Sequence, residues 1–329
     1  MISNQSPFVQ DTTSVSFIMF LVLVALIPGI LVHCFLFGYG ILFNIITATI
    51  TVVIAEYLIL KARNYPVKPF LTDYSAIVTA WLLAVSIPSI APWWIIVIGS
   101  LFSIIFAKHF YGGLGSNLFN PAMVGYAILL ISFPAIMTKW PSAYSSVSFD
   151  DQLKLFFFGM SSYDAIASAT PLDYLKTELL LNKNIDQILA EPIIKANPLI
   201  WVGVAYLLGG LFLIYKKIIT WHLPLTYLLT LFLIASLFNL ANPNNFAPFY
   251  YHLLNGGTFL AAFFIITDPV SGPTTPKGKI FFAFMVAMLV YLIRIFGGYP
   301  EGIAFAVIFM NICVPLIDKL SQPKVFGHE

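Results

Sequence analysis

Asp164-Ala165-Ile166-Ala167-Ser168-Ala169-Thr170-Pro171-Leu172 lies near the middle of the one long polar stretch, residues 139–197, in a chain that otherwise reads as membrane. Over all 329 residues 60% are hydrophobic and 9% charged, and the mean hydropathy is +0.92. Soluble globular domains carry roughly 25% charged residues, so this composition describes a polytopic, all-α membrane protein. The formal net charge of +2 is too small for a nucleic-acid surface, and the basic residues form short clusters between apolar runs instead of one stripe. Nucleic acid is therefore excluded as a partner and membrane lipid is required. Cys34 and Cys313 stand in apolar runs far apart in sequence. That placement reads as buried thiols that pack, not as a disulfide framework or a metal cluster.

A helix needs about 20 apolar residues to cross a bilayer, and Pro, Gly or charge divide the rows into ten candidates. The first five run from Phe17 to Phe37, Ile41 to Leu60, Tyr74 to Ile90, Trp93 to Lys108, and Pro121 to Met137. After the polar stretch come Leu199 to Tyr215, Ile219 to Leu240, Phe249 to Thr267, Ile280 to Ile295, and Gly302 to Ile317. The residues before Phe17 are mostly polar and lack a basic n-region, and the run that follows is too long for a cleaved signal peptide. It reads as the first spanning helix.

Orientation follows from the Lys and Arg in the short links. With a cytoplasmic N-terminus, the inner links hold Lys61, Arg63, Lys68, Lys108, Lys216, Lys217, Lys277, Lys279, Lys319 and Lys324. Only Arg294 falls at a short outer link. Lys139, Lys154, Lys176, Lys183 and Lys195 lie in the long segment, where the rule has little force. Both termini are thus expected inside and Thr170 outside. Because five is odd, the two sets of five spans have opposite orientations, and weak internal similarity supports the division. Lys108-His-Phe-Tyr-Gly-Gly113 leads into the fifth span as Arg294-Ile-Phe-Gly-Gly298 leads into the tenth. The link Pro88 to Trp93 occupies the place taken by Asp268 to Pro276 in the second half. Inverted repeats put functional sites at their interface, beside interrupted helices, although Gly-Gly and Pro also simply end helices. The expected organisation is residues 1–138 as one repeat, 139–197 as the external segment and 198–329 as the second repeat.

Leu172, Leu175, Leu179 and Leu180 repeat at helical spacing after Pro171. Pro171 suits the first helical position and Thr170 its N-cap. Free N–H groups and the positive end of the helix dipole also favour an anion there, so the Thr170 oxygen is a good carrier for a phosphate. Ala167, Ser168 and Ala169 leave room for a bulky group to be delivered.

Asp164, three residues, then Ser168-Ala169-Thr170 resembles the signature at which a flavin transferase joins FMN to threonine through a phosphoester, with Ser168 where Gly is usual. Four further stretches carry the same resemblance: Tyr111 to Met123, Thr267 to Gly278, Gly297 to Ala306 and Gln322 to His328. Together they make the chain similar, over its whole length, to the D subunit of the Rnf ion-translocating electron-transport complex and to the B subunit of sodium-translocating NADH:quinone reductase. The resemblance implies covalent FMN on Thr170, with Asp164 and Ser168 in the recognition motif, and a second, noncovalent flavin (riboflavin) between helices. It implies a multi-pass protein of the bacterial inner membrane with its Thr170 segment in the periplasm, passing electrons in a redox-driven translocase. A flavin-bearing G-type subunit, iron–sulfur subunits and a periplasmic flavin transferase are the implied partners. The short N-terminus, with few basic residues, departs from the family.

Partners are also required by the residues themselves. The chain has no Gly-x-Gly-x-x-Gly after a strand and no Cys-x-x-Cys, so electrons must enter and leave through other proteins. Glu56, inside the second span, is an intramembrane carboxylate and so a functional candidate, but its nearness to Lys61 and Arg63 favours snorkelling or pairing with them. Asp268 stands where the dipole disfavours a carboxylate, so bonding to free N–H groups of the Pro/Gly-rich link is expected, in an ordinary turn or along a flavin or ion path. His33, His109, His222 and His252 lie near span ends without metal-ligand spacing, which reads as interfacial packing. A small-solute channel or transporter on the same inverted-repeat plan is the rival reading, and it has no use for the Asp164 to Thr170 signature.

Overall fold

The computed structural model describes residues 14–142, 148–159, 167–195 and 197–322. Ser14 caps α1 (Val15–Phe37), its hydroxyl accepting from Phe17 N at 3.2 Å, and α2 follows as Gly40–Ala62. The next helices are α3 (Ser75–Ser86) and α4 (Trp93–Leu101), which continues as a π-helix over Phe102–His109. Asn120 and Pro121 start α5 (Pro121–Ser132) by side-chain capping and a missing N–H, the Asn120 oxygen accepting from Met123 N at 3.2 Å. The polar segment contributes α6 (Phe149–Phe158) and α7 (Pro171–Leu180). Beyond it come α8 (Leu199–Tyr215), α9 (His222–Ala241) and α10 (Phe249–Leu254). The chain breaks after α10 and resumes as Thr258–Leu260 and a π-helix over Ala261–Ile265, before α11 (Pro276–Phe296) and α12 (Ile303–Ser321).

Seven helical stretches among the described residues are long and apolar enough to cross a membrane, and Trp93–His109 and Pro121–Ser132 are shorter apolar helices. The remaining expected span is the broken one between Phe249 and Ile265. Its π-helical part is wholly buried, the condition under which a membrane tolerates irregular backbone, because the freed polar groups meet protein instead of lipid. Outward-facing side chains such as Phe35, Leu240 and Phe296 are exposed and apolar, as a lipid-facing surface must be. The protein is a multi-pass, all-α membrane protein.

The two halves have the same order of neighbours. In the first, α2 packs on α3 and α4, and the π-helical end of α4 packs on α5. In the second, α9 packs on α10 and α11, and α11 packs on α12. The halves join through equivalent helices, α1 on α8 and α5 on α12. At the α1–α8 seam a Cβ on Gly209 would lie 2.0 Å from the Ala25 carbonyl oxygen, and one on Gly29 2.2 Å from the Tyr206 ring. Lipid is as apolar as leucine, so close backbone approach of this kind is what holds membrane helices together. One apolar core runs through both halves, while Leu172, Leu175, Ile185, Ile188 and Tyr251 form a smaller core under the polar segment.

Two expectations need correcting. Cys34 and Cys313 are free but half-buried, not buried, because each sits on the flank of a helix whose other face carries the core. Glu56 pairs with neither Lys61 nor Arg63; its partners are Lys108 and His109. The cause is helical geometry, since Glu56 lies on the buried stripe of α2 and Lys61 does not. Asp164, and most of the closing stretch Gln322 to His328, lie outside the described residues.

Candidate functional site

Two short strands lead the chain to Thr170. Trp140–Pro141 (β1) pairs antiparallel with Ala167–Ser168 (β2), Trp140 opposite Ser168 and Pro141 opposite Ala167. The Ser168 hydroxyl donates to the Ala169 carbonyl at 3.3 Å. Thr170 then takes extended backbone angles (φ −68°, ψ 155°) as the N-cap of α7, its hydroxyl oxygen accepting from Asp173 N at 3.2 Å. Three ties fix this helix on the second half. Leu172 and Leu175 enter the small core, the Tyr251 hydroxyl donates to the Pro171 carbonyl, and the Lys176 amine donates to the carbonyls of Gly297 and Tyr299, the latter at 3.0 Å. Burial pushes the Asp173 carboxyl up and the Lys176 amine down, each opposed by the charge of the other.

Thr170 lines a cleft of about 1150 Å³, open mouth included, between the two halves. His33 of α1, Tyr126 of α5, Met137, Trp140, Tyr206 of α8 and Glu301 face it. Its walls are mostly apolar and aromatic, which suits a flat conjugated ring, with a few polar groups to orient one. At one edge Arg294 holds Glu301 in a two-pronged pair, Nε to Oε1 at 3.0 Å and Nη2 to Oε2 at 2.7 Å. The Glu301 carboxylate also accepts from Gly257 N at 3.1 Å and Gly302 N at 3.0 Å. Arg294 further donates to the His252 carbonyl at 2.8 Å and the Thr258 hydroxyl at 3.0 Å. Gly256 has φ +70°, and a Cβ there would meet Glu301 Oε2 at 2.3 Å. The break after α10 is thus filled by this ion pair, and a side chain at Gly256 would displace it.

A second cleft, of about 930 Å³, opens at the opposite helix ends and is lined by Ser75, Lys108, Asn117, Asn120 and Asp268 among others. Beside it the Lys108 amine donates to Glu56 Oε1 at 2.5 Å and to the Ser75 hydroxyl at 2.8 Å, and His109 Nε2 lies 3.1 Å from the same carboxylate oxygen. Asp268 accepts from Val270 N at 3.2 Å and from the Ser271 hydroxyl at 2.6 Å, so it does bond within its link. Asn120 donates its N–H to Asn311 Oδ1 at 3.1 Å and its amide to the Ile265 carbonyl at 3.3 Å, joining the halves at this end.

Lys108 to Ser75 and Arg294 to Thr258 are counterparts. In each half a cation near the end of the fourth span binds the hydroxyl of the residue that opens a helix of the third. In the sequence Lys108 and Arg294 head matching stretches, but the Gly-Gly pairs are the more visible signal there. Glu301 stands inside another matching stretch with nothing local to single it out. His33 gives no signal, because a lone histidine in an apolar run looks like packing. Among the described residues no group of three or more His, Cys, Asp or Glu is placed to hold a metal ion.

The fold and these clefts define a multi-pass membrane protein with two partly polar clefts at opposite ends of a two-half bundle. The chain belongs to the NQR2, RnfD, RnfE family, whose model matches residues 2–327. It is 47% identical to the D subunit of the ion-translocating oxidoreductase complex of Yersinia enterocolitica, over 98% of this chain and 97% of that protein. The corresponding D subunit of Salmonella paratyphi A is 46% identical, with the same coverage of both chains.

Proposed function

We propose that this chain is the membrane subunit of an Rnf-type ion-translocating oxidoreductase complex, inactive alone, that carries FMN in phosphoester linkage on Thr170. The observation that carries this is the place of Thr170, a helix N-cap whose side chain opens on a cleft walled by aromatic residues of both halves. Helix N-termini favour phosphate, Thr170 would hold it, and Tyr126, Trp140 and Tyr206 would bed the ring. Bound FMN supplies reversible electron transfer. The protein's own work is to fix that group on an immobile helix and to keep water from it.

A noncovalent riboflavin belongs to the same proposal, in the second cleft, which Asn117, Asn120 and Asp268 line with amide and carboxylate groups. Two electron carriers at opposite ends of one bundle would span much of the membrane. The two-repeat division at residues 1–138, 139–197 and 198–329 fits the repeated order of neighbours. Orientation follows the distribution of Lys and Arg: both termini cytoplasmic, Thr170 periplasmic, in a bacterial inner membrane. A flavin-bearing G-type subunit and iron–sulfur subunits would pass electrons to and from these sites, and a periplasmic transferase would attach the FMN. Moving one charge against 100 mV costs about 2.3 kcal/mol, so electron transfer must be tied to a conformational step shared with those partners.

The test is co-expression with a flavin transferase followed by a denaturing gel under ultraviolet light. The parent chain is expected to fluoresce and Thr170→Ala to be dark. A dark parent beside a flavinylated control protein would overturn the electron-carrier reading, whereas fluorescence in Thr170→Ala would move the attachment site. Acid extraction of the Thr170→Ala protein should still release riboflavin.

A further inference from the structure

His33 stands near the end of α1 that faces the Thr170 cleft, and it lines that cleft. Its side chain is buried, at 4% exposure, and neither ring nitrogen has a hydrogen-bond partner in the protein. Buried polar atoms are nearly always satisfied, and an orphaned one marks either an absent ligand or a real cost. The ring itself packs against Phe37, tilted at an interplanar angle of 39° with centroids 4.9 Å apart.

Three other polar side chains of the cleft are committed. Ser86 donates to the Leu82 carbonyl at 2.7 Å, Thr138 to the Pro134 carbonyl at 2.9 Å, and Glu301 is taken up by Arg294 and two backbone N–H groups. His252 is also buried with unpartnered nitrogens, but it packs between Tyr251 and Tyr291 and does not line the cleft. His33 therefore presents a fixed, uncommitted imidazole, one donor and one acceptor in its neutral form, to the space on which Thr170 opens.

We propose that His33 is a cofactor-binding residue that hydrogen-bonds the polar edge of the isoalloxazine ring of the flavin carried by Thr170. This rests on the FMN reading above. The pyrimidine edge of that ring alternates carbonyl acceptors with one N–H donor, which a neutral imidazole complements. A hydrogen bond there strengthens or weakens as the ring gains electron density, so His33 sets the redox poise of the flavin without entering its chemistry.

The experiment uses the assembled complex with parent, His33→Leu and His33→Gln chains. In-gel fluorescence first reports whether Thr170 is flavinylated, and the attached flavin is then titrated in its visible spectrum. His33→Leu should keep the fluorescent band but change the ratio of oxidised to reduced flavin at fixed ambient potential about tenfold, equivalent to about 30 mV for a two-electron couple. His33→Gln, which keeps a donor and an acceptor, should fall nearer the parent. An unchanged spectrum and ratio in His33→Leu would overturn the proposal while leaving the flavin reading intact. A dark parent band would remove both. Should His33→Leu fail to assemble, infrared difference spectra of the parent with ring-labelled histidine decide the matter. Imidazole bands that move on flavin reduction and vanish in His33→Gln support it, and their absence overturns it.

Discussion

Glu56 and Lys108 illustrate what a buried charge does when it has a partner. Their side chains are 1% and 3% exposed, in contact at 2.5 Å. Removing one member of such a pair strands the other and costs about 3–5 kcal/mol, whereas replacing both by apolar groups is often neutral or stabilising. Glu56→Gln and Lys108→Met are each expected to lower the melting temperature of the detergent-solubilised protein sharply, and the double variant to recover most of the loss. Singles that melt with the parent would show the pair to be inessential to stability. Asp173 makes a smaller, pH-dependent contribution. Burial raises its folded pKa above the unfolded value. Its contribution is therefore fully present below the unfolded pKa, about 3.9, and is lost as pH rises through the folded one. Hydrogen exchange in α7, corrected for intrinsic rates, should show the parent helix loosening as pH rises above the unfolded Asp pKa. Asp173→Asn should not loosen.

At the scale of an element, α7 matters because it holds Thr170 still. It has ten residues, too few to persist alone in water. Its order comes from the Thr170 cap, the small core beneath it and the two carbonyls that Lys176 reaches in the Gly297 to Tyr299 link. A hydrogen bond to a charged group contributes about 1.5–3 kcal/mol. Lys176 is partly exposed, so the lower end applies, about tenfold in an equilibrium. Lys176→Met should speed amide exchange across α7 by about tenfold while leaving exchange in α11 unchanged. Equal protection in parent and variant would assign the anchoring to the apolar contacts alone.

The whole molecule depends on the seam where α1 meets α8. A side chain at Gly209 would run into the Ala25 carbonyl, while one at Gly298 would meet nothing within 4 Å. Gly209→Val should therefore reduce the monodisperse peak in detergent gel filtration, and Gly298→Ala should leave it intact. The same seam brings His33 and Tyr206 to the cleft that Thr170 lines. Separating the halves would dismantle that site even with α7 in place.

Much of this was legible in the chain. Ten apolar segments and the cap at Thr170 follow from hydropathy and one Thr-Pro pair, since a bilayer imposes length and apolarity on any helix that crosses it. Thr170 could be read because a cap is a local device, complete within three residues. Glu56 could not, because its carboxylate meets Lys108 from another helix, and sequence distance led to Lys61 and Arg63. The Arg294–Glu301 pair, the break after α10 and the unpartnered ring of His33 were likewise hidden. The pair and the break are set by contacts among separate elements of the second half, and the His33 ring by the cleft between the halves. Sequence by itself determined which segments enter the membrane and which residue caps α7; tertiary structure alone decided the clefts. Their walls come from helices far apart in the chain, brought together where glycines let backbones touch.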